Sequence, residues 1–461
     1  MKTIKPGEDK PEGNGINPVS ADNSPAAGIN VITPERSRAL YLKITWRLIP
    51  LMFICYIIAY LDRINVGFAK LQLREVLGVD ERIFGSVYGI GAGLFFIGYF
   101  LFEVPSNLIM QRVGARFWIA RIMIVWGIIS SAMMFIHSTT SFYILRFLLG
   151  IAEAGFYPGM ILYLTYWFPD KERAHTVALF ATGTVVAGII GSPVSGALLD
   201  LHGLAGLEGW QWLFLLEGIP AILMGIIVIF VLPNRPRDAK WLSPDEKEYI
   251  QSRLDEEAAR AKGRAHFRLS DAFKSGRIWL LCLIYFLLTV GIYGYEMWLP
   301  SIIKEITVKS YSVVGLINAL PYAASIIFML VIGYHSDRTG ERRWHVATAA
   351  FIAAAGFAVS AWLRNPYLAL FALMASLVGL KSAMGPFWAL STAFLSGTAA
   401  AGGIALINSV GNLGGFVGPT LVGVLRDKTG SIQMALWILG GVLFMMGLLI
   451  LTIKKAHLKN R

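Results

Sequence analysis

Apolar residues fall into twelve long runs separated by short polar segments. The runs cover about 46–66, 83–106, 117–136, 141–165, 173–199 and 210–232. After one long polar connection they resume at about 276–300, 312–335, 345–363, 367–392, 402–425 and 432–453. Each is close to the ~20 residues an α-helix needs to cross a bilayer. The runs are too long and too uniformly apolar for barrel strands. Backbone groups in lipid must be satisfied within the span, so the pattern predicts an all-α membrane protein with twelve transmembrane helices.

Composition strengthens this reading. Hydrophobic residues make up 56% of the 461 and charged residues only 15%, well below the ~25% usual in soluble domains. The formal net charge of +12 would suit nucleic-acid binding in another context. Here the basic residues lie between apolar runs, which argues against a nucleic-acid partner. Cys55 and Cys282 both sit inside apolar runs, so neither a disulfide framework nor a metal cluster is indicated. Residues 1–42 are polar and rich in Pro, Gly, Asn and Ser. They predict a disordered tail leading into an uncleaved first span.

Basic residues also orient the chain. Arg112, Arg116, Lys171, Arg173, Arg338, Arg342 and Arg343 crowd short connections on one side. Lys70, Arg74, Arg82, Lys304, Lys309, Arg364, Arg426 and Lys428 are spread over the other. The bias places both termini in the cytoplasm. The long connection, 233–275, reads as a cytoplasmic linker containing a short amphipathic helix.

The two sets of six runs resemble each other at a constant offset of 226 residues. Asn107 recurs as Gly333, Gln111 as Asp337, Arg112 as Arg338 and Gly114 as Gly340; Gly159, Gly188 and Pro193 recur as Gly385, Gly414 and Pro419. Such a repeat predicts pseudo-symmetric six-helix bundles, 43–232 and 276–455, with a short tail at 456–461. Doubling of this kind suits alternating access to a site between the halves. Arg112, Gly114 and Arg116 in the first copy, and Gly333, Asp337, Arg338 and Gly340 in the second, are candidate gating latches as well as membrane-side anchors.

Ionisable residues inside spans are costly and usually face a cavity or a partner. In YLDRINVGFA, Tyr60 and Asn65 flank Asp62 and Arg63. Arg63 has the planar fork to clamp a carboxylate, and burial would suit Asp62 to carry a proton; the alternative places this pair at the membrane interface. Arg146 and Glu153, seven residues apart on the fourth span, suggest a proton-binding carboxylate tuned by an arginine, or a structural inter-helix pair. Lys381 lies midway along the tenth span as a second substrate contact or a partner for a buried acid. Asn408 and Asn412 share a helix face and could bond a hydroxylated substrate or pack helices. Tyr60 and Tyr88 join the candidate binding set. Glu217 and Glu296 read as structural groups near span ends. No Walker loop, HExxH or other catalytic or metal motif is present. A transporter is therefore expected; an integral membrane enzyme is the alternative of a different class.

The motifs complete the picture by resemblance. YLDRINVGFA (60–69), GYFLFEVPSNLIMQRVGAR (98–116) and RFLLGIAEAGFYPGMILYLTYWFP (146–169) resemble the anion:cation symporter family of the major facilitator superfamily. The resemblance extends over nearly the whole chain after the tail. It implies a multi-pass protein of the bacterial inner membrane that takes up a small organic anion with protons, acting as a monomer. No cofactor is implied beyond H+ as coupling ion. Similarity points first to tartrate or a related hydroxy (di)carboxylate; phthalate, 4-hydroxyphenylacetate and sugar acids are the alternatives. It also implies that Asp62 and Arg63 serve coupling and substrate binding, and that Arg146 and Glu153 serve charge relay and proton coupling.

Overall fold

The computed structural model describes residues 33–169, 172–173, 176, 179–180, 182–262, 274–307, 310–394 and 398–453. Within them the secondary structure is helical. The first span is built from α1 (Pro34–Ile64) and α2 (Val66–Leu77), the second from α3 (Glu81–Val113) and the third from α4 (Ala115–Ala132). The fourth joins α5 (Thr139–Glu153) to α6 (Phe156–Thr165); α7 (Gly183–Leu199) and α8 (Gly209–Val231) complete the first half. A linker helix, α9 (Pro244–Lys262), follows. The second half begins with α10 (Gly276–Glu296) and α11 (Leu299–Thr307), then α12 (Tyr311–Thr339), α13 (Arg343–Trp362) and α14 (Pro366–Phe394). It ends with α15 (Thr398–Asn412), α16 (Gly414–Thr429) and α17 (Gln433–Thr452).

Among the described residues, eleven helical segments are long and apolar enough to cross a membrane, and α7 is a shorter apolar helix. The expected span 173–199 is described only in part. The chain thus forms a helical membrane protein whose order of spans follows the apolar pattern.

Two local features differ from expectation. Helix α1 starts at Pro34, inside the segment expected to be a disordered tail. Thr33 accepts a hydrogen bond from the Arg36 amide at 3.3 Å, and proline occupies the first helical turn, where its missing N–H costs nothing. The remainder of that tail, 1–32, and the tail 456–461 lie outside the described residues, as does 263–273 of the linker. Lys70, expected in a solvated connection, is instead buried. The first span continues through α2, whose Val66, Phe68, Ala69, Leu73 and Leu77 are all buried.

Helix α9 has a reciprocal cap. The Ser243 amide donates to Glu246 Oε2 at 2.9 Å and the Glu246 amide to Ser243 Oγ at 3.3 Å. Lys43 Nζ meets Glu246 Oε2 at 2.9 Å, and the Tyr249 hydroxyl donates to Ser37 Oγ at 2.9 Å. These contacts tie the linker to the start of α1, defining a linker face of the molecule and, at the other ends of the spans, a far face.

The halves meet most closely at the far face, through two pseudo-equivalent crossings. In one, α3 packs on α16: a Cβ at Gly423 would lie 2.0 Å from the Gly85 carbonyl oxygen. In the other, α7 packs on α12: a Cβ at Gly196 would lie 2.3 Å from the Tyr311 carbonyl oxygen. The two pairs are related by the repeat offset to within one residue. Each crossing is capped by an aspartate. Asp427 accepts from the amides of Gly85 at 2.9 Å and Ser86 at 2.6 Å. Asp200 accepts from those of Tyr311 at 3.0 Å and Ser312 at 2.8 Å. The far face is therefore closed.

Candidate functional site

Among the described residues, one span is broken near its middle, at Ala154–Gly155, and three others are locally disturbed at Asn65, Met297–Trp298 and Leu413, where Asn65, Met297 and Leu413 stay in the right-handed helical region. Gly155 adopts φ +85°, and a Cβ there would lie 2.4 Å from Ser106 Oγ; only glycine makes this bend beside α3 without strain. Polar residues lie at or beside the interruptions. Glu153 closes α5, Glu296 closes α10 and Asn412 closes α15, while Arg63 is the penultimate residue of α1. Broken helices expose unsatisfied backbone in the bilayer only where protein or a lined cavity surrounds it.

Two buried cations, one from each half, form the centre. Arg63 Nη2 pairs with Glu153 Oε1, and Arg63 Nη1 donates to the Tyr293 hydroxyl of α10 at 3.2 Å. Lys381 Nζ lies 2.7 Å from Glu296 Oε1. The Tyr60 hydroxyl donates to Glu296 Oε2 at 2.7 Å and accepts from Lys381 Nζ at 2.9 Å. Each cation thus has its own glutamate within its own half, and a tyrosine from the opposite half touches each pair. Glu153 and Glu296 are 0% and 2% exposed. A buried charge is tolerable when so paired, and removing one partner leaves the other strongly destabilised.

The remaining expected residues take different places. Asp62 does not contact Arg63. It accepts from Trp126 Nε1 at 2.8 Å, Asn65 Nδ2 at 3.0 Å and the Ser130 hydroxyl, all within the first half. Arg146 does not pair with Glu153: its Nη2 donates to the Ala92 carbonyl at 3.1 Å, and its guanidinium lies 5.1 Å from the Phe95 ring centroid. Arg63 lies 5.3 Å from the same centroid, so the two arginines share one ring. Tyr88 is far from the central pairs in hydrogen-bonding terms, donating to the Met297 carbonyl at 3.0 Å.

Asn408 is held by Glu103, an acid that sequence reasoning passed over. Asn408 Nδ2 donates to Glu103 Oε1 at 2.6 Å and Ser409 Oγ to Oε2 at 2.9 Å, joining α15 to α3. Asn412 is buried one turn along. Glu296, expected from its place near a span end to be structural, completes the Lys381 site. The signal for both acids was available, since each lies in an apolar run.

The first linker-face motif bonds to the start of the linker and the second within its own half. The Arg116 amide donates to Asn234 Oδ1 at 2.9 Å beside Gly114, which adopts φ +98°. Asp337 pairs with Arg342 next to Gly340, at φ +66°. Arg343 Nη1 donates to the Ile453 carbonyl at 2.7 Å. Arg112 and Arg338 are exposed, and Gly333 is half-buried.

Comparison with known proteins supplies the family context. Residues 52–419 and 303–461 match the sequence model described as the Major Facilitator Superfamily. The chain is 47% identical over 429 residues to an Agrobacterium vitis protein named "Putative tartrate transporter", covering 93% of this chain and 94% of that one. It is 46% identical over 428 residues to the Pseudomonas putida "Putative metabolite transport protein NicT", covering 92% and 96%. Among solved structures, a D-xylose-proton symporter superposes with a TM-score of 0.72 at 16% identity, covering 88% of this chain and 97% of that one; this likeness concerns the fold alone.

Proposed function

This chain belongs to the Major Facilitator Superfamily of transporters, and on that footing we propose that it is a proton-coupled importer of a small organic dianion, with tartrate or a related hydroxydicarboxylate as substrate. The name carried by the Agrobacterium vitis relative supports the substrate class. The observation that carries the reading is the arrangement of two buried cations, one per half, each held by a glutamate.

A substrate carboxylate can take Arg63 only by competing with Glu153. A proton on Glu153 removes the competing negative charge and frees the guanidinium fork. Proton loading thus favours anion binding, and loss of the proton returns Arg63 to Glu153 and expels the anion. Glu296 and Lys381 repeat this logic in the second half, with Tyr60 reporting across the interface. A dicarboxylate bridging Arg63 and Lys381 would draw the halves together, and Asn408 or Asn412 would bond its hydroxyls after release from neighbouring groups. Asp62 is a further proton-binding candidate, and Arg146 stabilises the negative charge around it. The Arg112–Arg116 and Gly333–Gly340 segments act as gating latches on the linker face. That face is the cytoplasmic side of a bacterial inner membrane, so the far-face crossings close the periplasmic entrance. One chain holds both cation–glutamate pairs, which supports a monomer as the working unit.

The test is uptake of labelled tartrate into proteoliposomes under an imposed inward proton gradient, with galactonate, phthalate and 4-hydroxyphenylacetate as competitors. Gradient-driven accumulation is expected, competed least by the aromatic acids. E153Q should lose accumulation while retaining counterflow exchange. Equal loss of both activities would remove Glu153 from coupling, and failure of the folded wild type to move tartrate would reject that substrate.

A further inference from the structure

Lys70 is a buried cation that the central mechanism does not use. It is 3% exposed, and its Nζ has no hydrogen-bond acceptor among the described residues. It lies instead 3.1 Å from the centroid of the Trp298 ring and 5.0 Å from that of Tyr88. Trp298 belongs to the second half, at the α10–α11 interruption, and its Nε1 donates to the Pro419 carbonyl at 3.2 Å. Arg426, from α16, lies over the same indole at 5.7 Å and pairs with Glu305 at 2.7 Å. Two cations from opposite halves therefore converge on one aromatic side chain, with a carboxylate on only one of them.

We infer that Lys70, with Arg426, forms an entry subsite for carboxylate anions on the far side of the central pairs. The proposal rests on the organic-anion reading above. A neutral side chain would seal the same gap against Trp298 without burying an ammonium that lacks acceptors. Cation–π attraction makes the closed state tolerable but leaves every N–H of the ammonium without an oxygen. When the far face opens, the contact of α2 with the α10–α11 junction parts: a Cβ at Gly67 would lie 3.2 Å from the Met297 carbonyl oxygen, so these segments now touch. Lys70 stays with the first half while Trp298 and Arg426 leave with the second, and the ammonium is free for an incoming anion. Arg63 lies seven residues earlier on the same span, about 10 Å along the axis. Lys70 therefore lies on the far-face side of Arg63, and an anion entering from that face meets it first. Closure then returns Lys70 to the indole once the anion has moved inward.

Two measurements on the reconstituted full chain test this. In the first, K70M should raise the KM for tartrate presented at the far face about tenfold, equivalent to ~1.4 kcal/mol, while the half-saturation for tartrate presented at the linker face changes far less. K70R should recover part of the loss. Equal effects from both faces, or a fall in maximal rate at unchanged KM, would show a structural role and overturn the proposal. The second needs no substrate. Native Cys55 and Cys282 are buried, so R74C, one helical turn beyond Lys70 on α2, can be labelled from the far face with impermeant thiosulfonates. The anionic reagent should react several-fold faster than a cationic one of equal size, and K70M should abolish the preference. Equal rates would overturn the subsite. If tartrate is not transported at all, the substrate reading falls, and the labelling preference still decides for or against an anion subsite.

Discussion

Arg63 contacts both halves and holds a buried acid, as Lys381 does from the second half. R63A should abolish tartrate binding by calorimetry. It should also destabilise the protein by ~3 kcal/mol, because Glu153 is left without its cation. The double variant R63A/E153Q should regain most of that stability in thermal unfolding; no recovery would mean the pair is not the source of the loss. R63K keeps the charge but loses the fork, and should raise KM more than it lowers the maximal rate. Asp62, Arg63, Glu153 and Lys381 were all legible in the sequence because a charge stands out in an apolar run. Their pairing was not. Asp62 and Arg63 are neighbours in the chain yet point to different groups, and Arg146 and Glu153 share a helix without bonding. Partner choice is decided by which helix lies opposite, and one-dimensional spacing carries no such term. Glu103 and Glu296 are hidden for a related reason: their partners, Asn408 and Lys381, stand on other helices far along the chain.

At the scale of elements, the apolar runs located the spans well, and their ends shifted only where caps or buried extensions intervened. The Thr33 cap brought α1 forward to Pro34, and α2 carried the first span on to Leu77. The break at Gly155 leaves little mark on hydropathy, since it is a local change of backbone direction within continuously apolar sequence. Glycine was the better guide. Gly423 permits α16 to lie against α3, and G423V would drive a side chain into the Gly85 carbonyl. The expected result is a protein held with its far face open. Labelling of S86C by an impermeant thiol reagent should then rise sharply over the same cysteine in the Gly423 background. No increase would show that the crossing can close by sliding.

For the whole molecule, the repeat foretold two halves but not how they dock. Docking rests on the paired crossings and on Asp427 and Asp200 above them. Burial raises the Asp200 carboxyl pKa, but hydrogen bonds from the Ser312 side chain and the Ser312 and Tyr311 amides outweigh it, so the net position is below the ordinary aspartate value. The sign follows directly. A depressed pKa in the closed form favours closure above the open-form pKa of ~3.9, and the contribution is lost only as pH falls below that value through the lower closed-form pKa. Between pH 5 and 8 this latch should be insensitive to acidity at the far face, leaving pH response to the centre. D200N should weaken closure at all pH values in that window, read as greater far-face labelling of S312C. A labelling profile that steps near pH 6 in the protein with Asp200 intact would assign pH sensitivity to another far-face group.

Both aspartates address main-chain amides across the interface. Every residue except proline offers that amide. Mutational tolerance at the interface should therefore be lopsided: position 311 can drift through most side chains, with proline excluded, while position 200 cannot. Position 85 is the exception, because a Cβ there would lie 2.4 Å from Asp427 Oδ1; at the other crossing related chains could diverge at position 311 and still share one far-face seal, with little trace of co-variation between positions 200 and 311.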